Sequence, residues 1–284
     1  MSAVDVTILR LTLAPVFVGI ISWASRVAGP RIGGVLMALP VNSGTALFLF
    51  SLSPGLAFAT RTAGSAMLAA VSISAFAVGF AVLARRLPWG WAILGASLAF
   101  LGADALLAFV SIPVELGFVV ACAVAVLGWK SLGPARRPTV PGKTKSWDIP
   151  ARMVVALAVV FSVTTAGSVL GPEWSGLLIA YPVFATTVLV FERANYGPVS
   201  ALSILQGLEL GLLSYAAFLL CIGLLLERLG IPATFLIALG ATAAVQSYLI
   251  WTSRDAGRGG TPDTIAPASE SKHSLGPPSP EGRT

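Results

Sequence analysis

Residues 10–109, moved forward by 142 positions, align with residues 152–251 without a gap, and about a quarter of the aligned positions are identical. The identities are informative ones. Gly29-Pro30 falls on Gly171-Pro172, Gly34 on Gly176, and Ala38-x-Pro40-Val41-x-x-x-Thr45 on Ala180-x-Pro182-Val183-x-x-x-Thr187. Arg10 falls on Arg152, and Ser72-x-x-Ala75-Phe76 on Ser214-x-x-Ala217-Phe218. Weak identity at one fixed offset marks a duplicated structural unit.

The duplicated unit is one that lives in lipid. Apolar residues make up 56% of the chain and charged residues 11%, too few charges to solvate the surface of a soluble domain. In a membrane protein, an internal repeat points first to a transporter or channel. The opening Met-Ser-Ala-Val-Asp lacks a basic region and a small-residue cleavage site, so residues 6–26 are expected to be a retained first span rather than a signal peptide. Cys122 and Cys221 both lie in apolar runs and the one histidine is His273. No metal site, disulfide or cofactor is expected from that inventory.

A membrane helix needs roughly 20 apolar residues. The predicted spans are 6–26, 32–52, 63–84, 89–110, 113–132, 152–170, 174–191, 199–226 and 231–252. Read as one helix, 89–132 would be about 66 Å long, twice the hydrocarbon thickness, and Pro113 supplies the break. Nine spans divide as four plus one plus four. The fifth has no repeat counterpart, so it carries the chain across and the second repeat enters from the opposite face. The fold class expected is therefore an all-α integral membrane protein of two inverted four-helix repeats plus a linking helix.

Positive charge tests that count. With the N-terminus outside, fifteen Lys and Arg fall on the cytoplasmic side, among them Arg26, Arg31, Arg85, Arg86, Lys130, Arg136, Arg137, Arg152 and Arg193, and only Arg10, Arg61 and Arg228 fall outside. Treating 89–132 as a single crossing lowers the ratio to thirteen to five, so the positive-inside rule favours nine spans with the C-terminus in the cytoplasm. The division expected is 1–110 for the first repeat, 111–151 for the linking helix and a basic proline-rich loop, 152–252 for the second repeat, and 253–284 for a disordered tail rich in Ser, Pro and Gly.

The signature Gly29-Pro30-Arg31-x-Gly33-Gly34, followed by Leu39-Pro40 and an apolar run containing Ser and Thr, resembles a group of bacterial multi-pass membrane proteins. Each half is also more distantly similar to the small GlpM-type four-helix membrane proteins. The resemblance covers nearly all of residues 6–252 and implies the architecture; it brings no substrate and no catalytic residue.

Three constellations can carry chemistry. Pro40 and Pro182 fall near the middle of their spans and free backbone carbonyls that must find partners inside the membrane. Asn42, Ser43 and Thr45 follow the first proline, and Thr186 and Thr187 the second. Inverted repeats would bring these interruptions to the midplane from opposite sides, where secondary transporters bind substrate; the alternative is a pair of structural kinks. Glu209 lies about ten residues into its span, opposite Met67 in the first repeat. A charged carboxylate at that depth costs about 2.5–3.5 kcal/mol on insertion scales, so it is expected to face the interior, either as a proton-coupling group or as a hydrogen-bonded structural acid. Arg10 and Asp104 are expected at equal depth, one to two turns below the outer face, as an ion pair or gate, with Arg152 and Gln246 as their equivalents near the cytoplasmic face; a snorkelling Arg10 is the alternative. Gly90-x-x-x-x-Gly95 and Gly207-x-x-x-Gly211 fit close helix packing, and Trp89 and Trp91 an interfacial belt.

No phosphate-binding loop, metal-binding helix or nucleic-acid module occurs in the sequence. The expected activity is transport of a small solute, driven by protons if Glu209 couples, with a channel or a non-transporting scaffold as alternatives and no enzymatic role. The expected partners are the bilayer, the solute and at most a second copy of the chain.

Overall fold

A computed structural model describes residues 3–53, 55–110, 112–133, 147–170 and 181–258, with the side chains of 3–14, 42, 160, 163–170 and 253–258 outside the described set. All regular structure among these residues is helical: α1 (Ala3–Ala28), α2 (Pro30–Met37), α3 (Val41–Leu52), α4 (Leu56–Leu83), α5 (Trp89–Leu107), α6 (Val114–Ser131), α7 (Asp148–Leu170) and α8 (Val183–Arg258). Leu56–Leu83, Trp89–Leu107, Val114–Ser131 and Val183–Thr252 are long and apolar enough to cross a membrane, and Pro15–Ala28 and Ser43–Leu52 are shorter apolar helices. The chain is a multi-pass helical membrane protein.

The last of these runs, α8, is not one straight rod. Gly197 (φ 82°) and Gly230 (φ 73°) take the left-handed backbone region, each followed closely by a proline, Pro198 or Pro232. Glycine alone adopts that region at no steric cost, and proline removes the next helical donor. The breaks divide α8 into three helical segments. Two predicted boundaries shift as a result. Glu192 and Arg193, expected in a loop after residue 191, are helical, because the chain does not bend until Gly197; and the last segment runs to Arg258, six residues past the predicted span.

The predicted span 32–52 is two helices. Ala38, Leu39 and Pro40 interrupt it, since Pro40 has no N–H to donate to the preceding turn. The Val41 N–H donates to the Leu39 carbonyl at 2.8 Å and the Gly44 N–H to the Pro40 carbonyl at 2.7 Å. The second proline is handled the same way: Val183 N–H to the Tyr181 carbonyl at 2.8 Å, Thr186 N–H to the Pro182 carbonyl at 2.9 Å.

The middle segment of α8 runs antiparallel to α4. Ser74 meets Glu209 while Ala66 meets Tyr215, so moving back along α4 moves forward along α8. The interior divides accordingly into two apolar clusters. One joins Phe76, Ala77 and Phe80 of α4 to Ala201, Ile204, Leu205 and Leu208 of α8. The other joins Ala59, Ala63, Met67 and Ala70 to Leu212, Ala216, Phe218 and Ile222. Helix α6 lies against both partners with one smooth face, its buried residues being Gly117, Ala121, Ala125 and Gly128.

Helix α2 packs on the same segment of α8 with almost nothing between the backbones. A β-carbon on Gly34 would overlap the Ile204 carbonyl oxygen, one on Gly207 the Arg31 carbonyl oxygen, and one on Gly211 would lie 2.7 Å from the Ala38 β-carbon. The Gly207-x-x-x-Gly211 pair is thus a helix-crossing surface. In the other pattern, Gly95 packs on Leu83 whereas Gly90 has open space.

Candidate functional site

Glu209 is fully buried near the middle of its helical segment. The Ser74 hydroxyl donates to Oε1 at 2.9 Å, and Oε2 has no hydrogen-bond partner among the described residues. The carboxyl rests on α6 where that helix lacks a side chain: a β-carbon on Gly128 would lie 2.5 Å from its Cδ. Met67, the residue 142 positions earlier, rests on α6 too, with its side chain 3.1 Å from where a Gly117 β-carbon would stand. We expect Gly128→Ala to push the carboxyl off Ser74 and to cost about 1–3 kcal/mol, read as a lowered Tm in detergent. An unchanged Tm would show that the carboxyl has room to retreat.

The first proline break lies one turn away. Ala38 packs on Gly211, and the Ser43 hydroxyl shares a 3.1 Å hydrogen bond with Tyr215, whose phenol reaches the Ala66 carbonyl at 3.3 Å. Thr45 donates to the Val41 carbonyl of its own helix at 2.7 Å. At the second break, Thr186 donates to the Pro182 carbonyl at 3.0 Å and to the Tyr181 hydroxyl at 3.1 Å. Tyr181 in turn shares a 2.7 Å bond with Ser97 and sets its ring edge-on to Phe76 and Phe100. Thr187 is buried with its hydroxyl unbonded among the described residues. Two of the four hydroxyls thus reach back to carbonyls at the start of their own helices. No hydrogen bond among the described residues joins the Pro40 segment to the Pro182 segment, and the side chain of Asn42 lies outside the described set.

Asp104 lies three residues before the end of α5. It accepts a hydrogen bond from Ser72 at 3.4 Å, and Ser72 is sixteen residues, about 24 Å, along α4 from its Leu56 end. Its expected partner, Arg10, has a side chain outside the described set. Arg152 and Gln246, the repeat equivalents of Arg10 and Asp104, have separate hydrogen-bond partners. Gln246 donates to Ser214 at 2.8 Å and to the Val35 carbonyl at 3.0 Å, because the third segment of α8 folds back on the second and not on α7. Ser214 and Gln246 lie 142 positions after Ser72 and Asp104, so the same serine-to-polar contact occurs twice.

Arg152 belongs to a network that the sequence concealed. The residue is 1% exposed; its Nε donates to Asp148 Oδ2 at 3.1 Å and its Nη1 to Glu192 Oε1 at 3.2 Å, with the Phe191 ring 5.3 Å away beneath the guanidinium. Asp148 also accepts from Asn195 at 2.6 Å and pairs with Arg26. Glu192 accepts from Ser200 at 2.6 Å. The end of α1, the start of α7 and both sides of the Gly197 break meet here, around two guanidiniums and two carboxylates.

Among the described residues no group of three His, Cys, Asp or Glu could hold a metal ion. No family model, curated protein or solved structure matches this chain.

Proposed function

We propose that the chain is a secondary transporter or permease for a small solute, coupled to protons through Glu209. The observation that carries this reading is the fully buried carboxyl, held by one serine against a bare stretch of helix beside an interrupted helix. Buried ionisable groups in membrane spans are costly and mark proton or solute pathways by default. Asn42, Thr45 and Thr187 are the proposed solute contacts, placed at the two breaks where irregular backbone can line a path.

The proposed architecture is nine crossings, as two inverted four-helix repeats joined by α6, with the N-terminus outside and the C-terminus in the cytoplasm. Several observations support inversion. Helix α4 and the middle of α8 are repeat equivalents and run antiparallel, as an axis in the membrane plane requires. The two apolar clusters exchange under the 142-residue offset, Phe76 for Phe218, Phe80 for Ile222, and Ala59 for Ala201. Gly55 and Gly197, also 142 apart, both take positive φ at the equivalent bend. Along α6, Met67 and Glu209 sit at Gly117 and Gly128, near opposite ends of the same face.

The test is reconstitution into proteoliposomes enclosing a pH-sensitive dye, challenged with inward gradients of sugars, amino acids, organic acids and amines. At least one solute class is expected to change internal pH with wild type and not with Glu209→Gln. An equal response in that variant sinks the coupling role. Fast, non-saturating uncoupled current would instead make the protein a channel.

A further inference from the structure

We propose that the Arg26, Asp148, Arg152, Glu192, Asn195 and Ser200 network is a gate that seals the basic end of the molecule over Glu209. The choice of Glu209 as the guarded group rests on the transport reading; the gate itself rests on the geometry.

The network stands at the end of the helices that carries Arg26, Arg85, Arg86, Arg152 and Arg193. Arg193 ties the same end of α4, donating to the Ala84 carbonyl at 3.4 Å. From Ser200, nine residues or about 13.5 Å of helix lead to Glu209. Between them lie Ala156, Val188, Leu189, Ala201, Ile204 and Leu205, all at most 2% exposed. Glu209 is sealed from that end by an apolar plug capped with ion pairs.

Stability alone gives no reason to build the cap from charges. Apolar side chains of equal volume commonly hold a buried site as well or better, and the best-attested use of buried ion pairs is to specify one of two arrangements. Position points the same way. Glu192 and Ser200 flank Gly197, where the helix breaks at a φ of 82° that other residues resist, and the gate uses this break as its hinge. The 2.6 Å bond between them straps that hinge, and Arg152 ties the strap to α7 while Asp148 extends the tie to α1. Releasing Glu192 cuts the strap to the second segment of α8 and one of two ties to α7, leaving the Asn195–Asp148 bond as the pivot on which the first segment turns. Hinge residues at element ends are where such movements are absorbed.

The experiment uses full-length protein in detergent with Cys122→Ala and Cys221→Ala. Ala156→Cys, one turn beyond Arg152 on the same face, reports on the plug. Ala121→Cys, in the buried face of α6, reports on the rest of the core. Maleimide labelling rates are measured in the presence and absence of Glu192→Gln, which removes the charge and keeps a polar group of the same shape. The gate predicts about a tenfold faster reaction at Ala156→Cys, the loss expected for a charge-assisted bond, with the Ala121→Cys rate unchanged. Equal acceleration at both positions means general loosening and overturns the proposal, as does no acceleration at either. Should Glu192→Gln fail to fold, Ser200→Ala cuts the strap alone and is read by the same two reporters, with a few-fold effect expected. No solute is needed, so the two readings fail separately. Local opening without any solute-driven pH change keeps the gate and removes the transporter; the reverse result removes only the gate.

Discussion

Gly207→Leu will leave no folded protein in detergent extracts. A β-carbon at this position would lie 2.8 Å from the Val35 amide nitrogen and closer still to the Arg31 carbonyl oxygen. Both are main-chain atoms of α2, so no rotamer change relieves the overlap. Gly34, directly across the crossing, would meet the Ile204 carbonyl carbon at 2.8 Å if it carried a side chain. The helices have to separate, and with them goes the packing that seats Ala38 on Gly211. Overpacking ordinarily costs about 1–3 kcal/mol; a clash between two backbones belongs at or above the top of that range. The comparison is Gly240→Leu, an exposed position whose β-carbon would meet nothing within 4 Å. Size-exclusion profiles should show a monodisperse peak for Gly240→Leu and aggregate for Gly207→Leu. A sharp peak with near-native Tm for Gly207→Leu would mean that α2 does not dock on α8 as described.

The second large effect is expected at Arg152. Arg152→Ala leaves two buried carboxylates, but they are not equally served. Asp148 keeps Arg26 and Asn195, whereas among the described residues Glu192 keeps only Ser200. Stripping one partner from a buried pair costs about 3–5 kcal/mol, and here the cost should fall mainly on Glu192. The double variant Arg152→Ala with Glu192→Ala should therefore recover part of the Tm lost in the single variant. If the two losses simply add, the 3.2 Å contact between these residues carries no coupling.

Much of the helical layout was legible because lipid permits few solutions. Apolar run length marks the spans, and proline marks the interruptions at Pro40 and Pro113. Glu209 was legible for the same reason: a carboxyl in an apolar run has to face the interior. Its partners were not. Ser74 and Gly128 lie 135 and 81 positions away in sequence; the antiparallel register of α4 and α8 brings in the first, and the docking of α6 on α8 the second. The ion network was hidden for a different reason. Arg26 and Arg193 read as topology signals, and Asp148 as the end of a basic loop, because charges near span ends are ordinarily solvated. Burial at the junction of α1, α7 and α8 is a property of the packing. Gln246 was legible as the repeat position of Asp104; that Ser214 bonds it, as Ser72 bonds Asp104, was not, because the serines lie a full helix away in sequence.

The bare face of α6 has a mechanical consequence. Interdigitated side chains lock neighbouring helices against movement along their length, as teeth lock a rack. Gly117, Ala121, Ala125 and Gly128 offer no teeth. Such a surface bears load perpendicular to itself but gives little resistance to sliding, the small displacement on which shear movements between packed helices depend. Helix α6 then acts as a bearing, and Glu209 is one of the side chains that rides on it.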